Sequence, residues 1–183
     1  MVKKVSIWSS LEPLLYLEEP VHLAEISKKL KKPHTTVRKH LAVFEKMGLV
    51  AKERKGRQTF YKLKEIPLFI DYLTIIEKEK LIKICEKNLM FKEIVDYLHD
   101  FDNMFVIFGS AVESIKKAND IDLLVIGKFK KEKLKVLEGR LNVKFHIINV
   151  RNLNEISETL KKEIVDKHVI IQGSEKLIKW LIS

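Results

Sequence analysis

The sequence predicts a mixed α/β (α+β) protein in which a helical region with one β-hairpin precedes a mixed sheet flanked by helices. Residues 1–64 carry hydrophobic side chains at helical spacing until a strand–glycine–strand pattern appears around Gly56. Residues 65–103 carry two further helical patterns without a Gly/Ser-rich linker. Residues 104–183 alternate short β-branched runs with helical segments. We therefore expect an N-terminal domain, a helical connector and a C-terminal domain over these three ranges.

The composition is that of a folded protein without membrane spans. The chain has 183 residues, of which 46% are hydrophobic and 33% are charged, a lysine-rich balance typical of thermophile proteins, including archaeal ones. No apolar run approaches the ~20 residues that a membrane helix needs. No apolar stretch of signal-peptide type follows the basic N-terminus. The single cysteine, Cys85, cannot form an internal disulfide, so we expect a cytoplasmic protein.

The positive charge is concentrated in the first third of the chain. Residues 1–64 contain 15 Lys/Arg and 6 Asp/Glu, whereas residues 65–183 contain 20 and 19. A basic block beside a nearly neutral one indicates a polyanionic partner for the first domain. Solubilising lysine is the alternative, but it does not explain the asymmetry.

The first 64 residues contain three predicted helices and a hairpin. The first helix begins at the Ser9-Ser10 pair and ends before Pro20. The second covers residues 21–32, and the third covers residues 34–47. Gly48 is then placed as the C-terminal cap of the third helix. The hairpin that follows carries basic residues on both sides of its glycine, which predicts a basic β-wing.

This segment resembles the winged helix-turn-helix repressors of the ArsR type over about residues 11–63. The residues that carry the resemblance are Leu23-Ala24-Glu25-Ile26, Thr36-Val37-Arg38-Lys39-His40-Leu41, Gly48-Leu49-Val50, Gly56-Arg57 and Tyr61-Lys62-Leu63. The resemblance implies that helix 34–47 enters the major groove of double-stranded DNA and that the wing lies on the backbone. The side chains expected at the groove are Thr35, Thr36, Arg38 and Lys39. The side chains expected on phosphates are Lys28, Lys29, Arg54, Lys55 and Arg57.

Two alternatives accompany the DNA-binding interpretation. A winged helix can also serve only to bind protein. A long amphipathic helix after such a domain often mediates dimerisation, so we expect a homodimer, although the apolar stripe of that helix could equally pack on the C-terminal domain. His34 and His40 are interpreted as a helix-start residue and a packing residue rather than metal ligands.

The C-terminal domain is organised around residues 104–126. Two apolar runs here have the length of strands. The first, Met104–Phe108, is followed by Gly109-Ser110. The second, Ile121–Ile126, begins within the motif Asp120-Ile121-Asp122. Residues i and i+2 of a strand share a face, so the two aspartates project together and repel each other. A divalent cation relieves that repulsion, and carboxylate oxygens suit Mg²⁺. The Gly-Ser turn offers backbone N–H groups and a hydroxyl for phosphate. The alternative is a surface turn beside two solvated aspartates.

The two motifs together resemble the nucleotidyltransferases of the DNA polymerase beta type, especially the small minimal members, over roughly the C-terminal half of the chain. The resemblance implies a nucleoside triphosphate, ATP by first expectation, bound with Mg²⁺. Gly109, Ser110 and Lys116 would hold the nucleotide, while Asp120 and Asp122 would hold the metal. The activity implied is transfer of a nucleoside monophosphate to a hydroxyl of a small molecule, protein or nucleic acid. Small members are often antitoxins that modify a toxin, which makes a protein acceptor one of the open partners.

The sequence departs from this family at two places. The family carries a third carboxylate on the next core strand, where this chain has His146 within the predicted strand 143–149. A histidine can accept a proton but brings no negative charge, so it would hold two magnesium ions less well. Glu113-Ser114 stands where the family commonly has Arg-Gly. Two hypotheses therefore stay open: a DNA-binding regulator whose second domain is a sensor or relic, and an active transferase that uses Asp120, Asp122 and His146.

Overall fold

The computed structural model describes residues 6–115 and 120–183, and the chain divides into two compact units, residues 1–79 and 80–183. The boundary lies within one long helix, Phe69–Lys87. It therefore falls inside the predicted connector. Counted by these units, the net charges are +6 and +4, because the first part of the long helix adds acidic residues to the first unit.

The first unit is a winged helix-turn-helix, as predicted. Its elements are a 3-10 helix Trp8–Leu14, β1 Val21–His22, α1 Leu23–Leu30, α2 His34–Lys46, β2 Val50–Lys55, β3 Gln58–Leu63 and the start of α3 Phe69–Lys87. The strands form an antiparallel sheet in the order β1-β3-β2. The β2–β3 register runs from Val50↔Leu63 to Lys55↔Gln58, so the wing turns at Gly56-Arg57. Gly48 has a φ of +75°, and Leu49 N–H donates to Phe44 O at 3.0 Å, which is the helix C-terminal cap that the sequence predicts.

The first predicted helix differs from the prediction. Residues 8–14 form a 3-10 helix that includes Pro13, whose ring nitrogen cannot donate an intrahelical hydrogen bond. Ser10 is buried there, and its Oγ lies 2.7 Å from His40 Nδ1, which makes His40 a packing residue. Burial, with the nearby charge of Lys32, lowers the pKa of His40.

The second unit contains a four-stranded mixed sheet flanked by helices. Its elements are α4 Leu89–Leu98, β4 Met104–Phe108, a 3-10 helix Gly109–Val112, β5 Ile121–Ile126, a 3-10 helix Lys131–Leu134, α5 Lys135–Leu141, β6 Phe145–Val150, a 3-10 helix Leu153–Glu155, α6 Glu158–Asp166, β7 His168–Gln172 and α7 Ser174–Ile182. The strand order is β6-β5-β4-β7, with β5 and β6 parallel and the other pairs antiparallel. The central strands β4 and β5 are almost wholly buried because they are hydrophobic on both faces.

Three helical predictions in this unit are shifted or divided. The segment predicted as a helix over 128–137 forms a 3-10 turn followed by α5, which ends at Leu141. The helix predicted over 154–167 begins only at Glu158, because the Ser157 hydroxyl caps it by accepting from Leu160 N–H. The helix predicted over 110–117 is a 3-10 turn that ends at Val112, and the rest of that prediction includes Lys116, which lies outside the described residues.

No helix in residues 6–115 and 120–183 is long and apolar enough to cross a membrane.

Candidate functional site

Asp122 lies beside both neighbouring strands of the second sheet. It is the second residue of β5, where it pairs with Phe108 at the end of β4 and with His146 near the start of β6. Ile121 is 1% exposed, whereas the Asp122 side chain is 27% exposed. Asp120 is exposed and immediately precedes β5. The alternation therefore buries the isoleucine and leaves both carboxylates accessible at one end of the sheet.

The parallel pairing of β5 and β6 brings His146 to Asp122. His146 Nδ1 lies 3.0 Å from Asp122 Oδ1, and the imidazole is 64% exposed. An ionised carboxylate only accepts hydrogen bonds, so Nδ1 is the protonated nitrogen when the imidazole is neutral. Nε2 is then left as the proton acceptor, in a ring that the carboxylate orients.

Gly109 provides the third side of this arrangement. Its φ of +69° is a left-handed conformation that favours glycine, and a Cβ at this position would lie 2.7 Å from Asp122 Oδ2. The backbone at the end of β4 therefore passes close to the Asp122 carboxylate, and only glycine allows this approach because it has no side chain. One expectation is wrong here: the Gly109 N–H is not free for phosphate, because it donates to Lys167 O at 3.1 Å.

The residues after Gly109 include two expected phosphate ligands, Ser110 and Lys116, and the acidic residue Glu113. Ser110 is exposed at the start of the 3-10 turn, beside the strand end. Glu113 is paired with Lys167 at 3.0 Å between Oε1 and Nζ. The hydrogen bond to Glu113, together with its charge, raises the pKa of Lys167. The predicted phosphate ligand Lys116 lies outside the described residues.

The two carboxylates at this end of the sheet are a donor set that could hold one magnesium ion, if a nucleotide supplied further ligands. Within the described part of the chain, no three His, Cys, Asp or Glu side chains come together in a way that could hold a metal ion. Mg²⁺ is commonly held by one or two carboxylates with the remaining ligands supplied by phosphates and water. Asp120 and Asp122 fit that pattern in number and in ligand chemistry.

A second candidate surface is the basic face of the winged helix-turn-helix. In α2, Val37, Leu41 and Phe44 are fully buried, which turns the other side of the helix to solvent. The predicted nucleic-acid contacts that are exposed are Lys28, Lys29, Thr35, Arg38, Lys39, Arg54, Lys55 and Arg57, while Thr36 is half-buried.

Three of these cations have neighbours that the sequence did not reveal. Lys55 lies 3.4 Å from Glu53 and over the ring of Phe60, and Lys29 pairs with Glu25 at 3.1 Å. Arg38 lies beside the Tyr61 hydroxyl: burial raises the pKa of Tyr61, and the Arg38 charge opposes that rise.

Sequence reasoning missed Lys167 and a cluster of cations at the far end of β5 and β6. Lys167 precedes β7, a strand that adjoins β4 only through long-range pairing. The cluster includes Lys128, Lys130 and Arg151, of which the lysines belong to a visibly basic run. That run was a usable signal, but its proximity to Arg151 depends on the parallel β5–β6 pairing.

Comparison with known proteins yields one similarity. No protein-family model matches the chain, and no curated protein matches it. One solved structure, the crystal structure of a mutant of the toxin–antitoxin MntA–HpeT, is similar over 50% of this chain and 79% of that chain, with 17% sequence identity and a TM-score of 0.39. A similarity at this level carries no argument about activity.

Proposed function

We propose that the second unit is a nucleotidyltransferase-type domain that binds a nucleoside triphosphate with Mg²⁺ and transfers its nucleoside monophosphate to a hydroxyl. The observation that carries this proposal is the meeting of Gly109, Asp122 and His146 at one end of the sheet. It joins a pair of solvent-accessible carboxylates to the turn at Gly109 and to the imidazole of His146. The Gly-Ser and Asp-x-Asp motifs, each attached to its own buried strand, support it.

The proposed site assigns different tasks to different residues. Asp120 and Asp122 would hold Mg²⁺, which when bound would offset the negative charge of the phosphates. Ser110 would donate its hydroxyl proton to a phosphate oxygen. Gly109 allows the turn after β4 to pass close to Asp122 Oδ2, at a distance that a Cβ would reduce to 2.7 Å.

His146 would act as the general base. Its Nε2 accepts the proton of the acceptor hydroxyl while Asp122 Oδ1 stabilises the resulting imidazolium at Nδ1. The acceptor oxygen then forms its bond to the α-phosphorus as the bond from that phosphorus to the α–β bridging oxygen breaks. Pyrophosphate leaves with that oxygen and the electron pair. The acceptor is a protein, small-molecule or nucleic-acid hydroxyl.

Calorimetric titration of the full chain with each of the four nucleoside triphosphates, with and without Mg²⁺, tests this proposal. We expect Mg²⁺-dependent binding in wild type and its loss in Asp122→Asn, because the change removes a metal ligand charge with little change in shape. Asp100→Asn is the matched control, since Asp100 is exposed and lies outside the sheet. Equal binding by Asp122→Asn and Asp100→Asn, or no binding by wild type, would remove the basis for the transferase.

We also propose that the first unit binds double-stranded DNA, with the homodimer as the binding species. The specific support is that α2 and the wing both present exposed cations, while the apolar side of α2 is buried. Within the first unit, the α3 side chain of Ile75 is exposed and is available for apolar pairing between copies.

Selection from a randomised duplex pool, followed by anisotropy titration of the enriched duplex, tests the DNA proposal. We expect one enriched sequence and binding that weakens steeply with salt. Binding to every duplex no tighter than to heparin would contradict it and would favour a winged helix that binds protein.

A further inference from the structure

The parallel strands β5 and β6 end at a groove that lies opposite the Asp122–His146 end. The groove has a volume of about 600 Å³. Its lining residues are Gly127, Lys128, Phe129, Lys130, Lys133, Asn149, Val150 and Arg151. A strand of six residues is roughly 20 Å long, so the groove is separated from Asp122 by about the length of β5. The carboxyl ends of parallel strands are a frequent location for ligands in α/β proteins.

All the charged residues that line this groove are cationic. Four of its residues are Lys or Arg, and none is Asp or Glu. Lys128, Lys130 and the Arg151 guanidinium form no ion pair within residues 6–115 and 120–183, and Lys133 Nζ lies 4.5 Å above the ring of Phe101.

Two carboxylates stand near the lining residues in the chain. Glu155 accepts hydrogen bonds from the Arg151 backbone N–H at 3.0 Å and from the Asn152 side chain at 2.9 Å, so its carboxylate is held by other donors than the guanidinium. Glu132 is exposed in the 3-10 turn and does not line the groove. The positive charge of the groove is therefore available to a ligand.

The floor of the groove is held by side-chain amides. Asn149 Nδ2 donates to Val125 O at 3.0 Å and to Gly127 O at 2.9 Å, which ties β6 to the end of β5. Asn103 Nδ2 donates to Ile126 O and Lys128 O, both at 3.3 Å. These bonds fix the backbone from which the lining lysines project.

Packing fixes the apolar wall. The ring of Phe129 lies edge-to-face against those of Phe101 and Phe105, at centroid distances of 5.5 and 5.6 Å. A wall anchored in the core costs little to order on binding, which favours a defined ligand site over a merely basic surface.

We propose that this groove is a second ligand site, which binds the polyphosphate group of a nucleotide or of inorganic polyphosphate. Its volume lies within the range of roughly 300–1,000 Å³ that small-molecule pockets occupy. Several unpaired cations around one concave surface match a compact anion that carries several charges. The site is independent of the metal-dependent nucleotide site proposed at Asp122, because it contains no carboxylate that could hold a metal.

Titration of the ¹⁵N-labelled full chain with inorganic tripolyphosphate and with ATP, both in EDTA, tests this site. Without divalent metal the carboxylates of Asp120 and Asp122 repel phosphate, which disfavours binding at that end of the sheet and separates the two sites. We expect shifts of the Gly127 and Asn149 backbone amides with both ligands. Equal affinities would assign recognition to phosphate alone, and a tighter ATP complex would add the nucleoside; either result supports the site. Shifts confined to residues outside the groove would overturn it.

A pair of charge variants provides the second readout. Lys130→Gln/Arg151→Gln should weaken tripolyphosphate binding at the groove by about tenfold or more, since each lost charge-assisted hydrogen bond is individually strong. Lys162→Gln/Lys176→Gln removes the same charge from exposed positions on α6 and α7 and should not change it. Circular dichroism melting checks that both variants fold.

Equal weakening by the two charge variants would mean non-specific attraction and would also overturn the site. Asp122→Asn should bind tripolyphosphate as wild type does. The failure of the transferase proposal and the failure of this one are therefore distinguishable.

Discussion

The two carboxylate oxygens of Asp122 face different neighbours. Oδ1 contacts His146 Nδ1 at 3.0 Å, and Oδ2 faces the backbone of Gly109, where a Cβ would approach to 2.7 Å. A single side chain thus connects the turn after β4, the start of β5 and the start of β6. Substitutions at its two neighbours test different properties of the site.

Gly109→Ala should destabilise the second unit and displace the Asp122 carboxylate. Alanine in a left-handed conformation costs about 1–2 kcal/mol, and the contact with Oδ2 adds to that cost. Gly139→Ala is the matched control. Gly139 lies inside α5 with nothing near its added Cβ, so alanine there should stabilise by about 0.5–1 kcal/mol. Thermal and denaturant unfolding measure both; similar effects of the two substitutions would contradict the assigned backbone role.

His146→Asp should increase the affinity for Mg²⁺ by about tenfold or more. One added negative charge about 4 Å from a divalent ion is worth ~2 kcal/mol even at the dielectric constant of water. His146→Asn, which adds no charge, is the comparison, and calorimetry with Mg²⁺ and nucleotide is the measurement. If the aspartate variant binds Mg²⁺ no better than the asparagine variant, the metal does not lie beside β6.

At the scale of the element, the wing combines regular strand pairing with exposed and mostly charged side chains on β2. Every residue of β2 after Val50 is exposed, so this strand contributes little to the core and presents its side chains to solvent. Its register with β3 is continuous up to the turn at Gly56. A continuously paired hairpin whose β2 side chains are mostly exposed is suited to lie along a phosphate backbone.

Arg54→Gln/Arg57→Gln should weaken duplex binding and reduce its salt dependence without lowering the melting temperature. Two lost phosphate contacts lower the slope of log K against log salt by about 2, since each contact contributes ~0.9. Anisotropy titrations between low and moderate salt measure the slope. Lys162→Gln/Lys176→Gln controls for net charge. An unchanged slope in the wing variant would place the DNA elsewhere or exclude it.

At the scale of the whole molecule, the residues proposed for the two functions lie in different units. The first unit presents the basic winged helix, and the second holds the carboxylate pair and the cationic groove. The predicted boundaries at residues 64 and 103 enclose the observed division at residue 79, which falls within α3. The sequence did not predict this division, because it lies within one helix and no change in composition marks it.

The two proposed activities should therefore respond to different substitutions in the full chain. Arg54→Gln/Arg57→Gln should leave Mg²⁺-dependent nucleotide binding unchanged, and Asp122→Asn should leave duplex binding unchanged in the absence of nucleotide. The measurements are the calorimetric and anisotropy titrations described above, made on the same preparations. Loss of both functions in either variant would indicate a shared surface instead of separate sites.

The local patterns by themselves determined the strands, the turns and the faces of the residues. Met104–Phe108 and Ile121–Ile126 are strands with the predicted bounds, because continuous β-branched and aromatic runs specify their own burial. Gly48 and Gly56 occupy the predicted cap and turn because only their immediate neighbours decide those conformations. Helix starts were less predictable where a cap such as Ser157 competes with a longer amphipathic pattern.

Only the tertiary structure decided which of these elements meet. Contact between His146 and Asp122 requires β6 to lie parallel to β5, and the capture of the Gly109 N–H by Lys167 requires β7 to lie beside β4. The cationic groove likewise depends on both parallel strands ending together. Such pairings join residues far apart in the chain through the burial of whole strands. No single residue pattern encodes them, which is why His146 was grouped with Asp122 only through the family resemblance and why Lys167 and the Arg151 cluster were not found from the sequence.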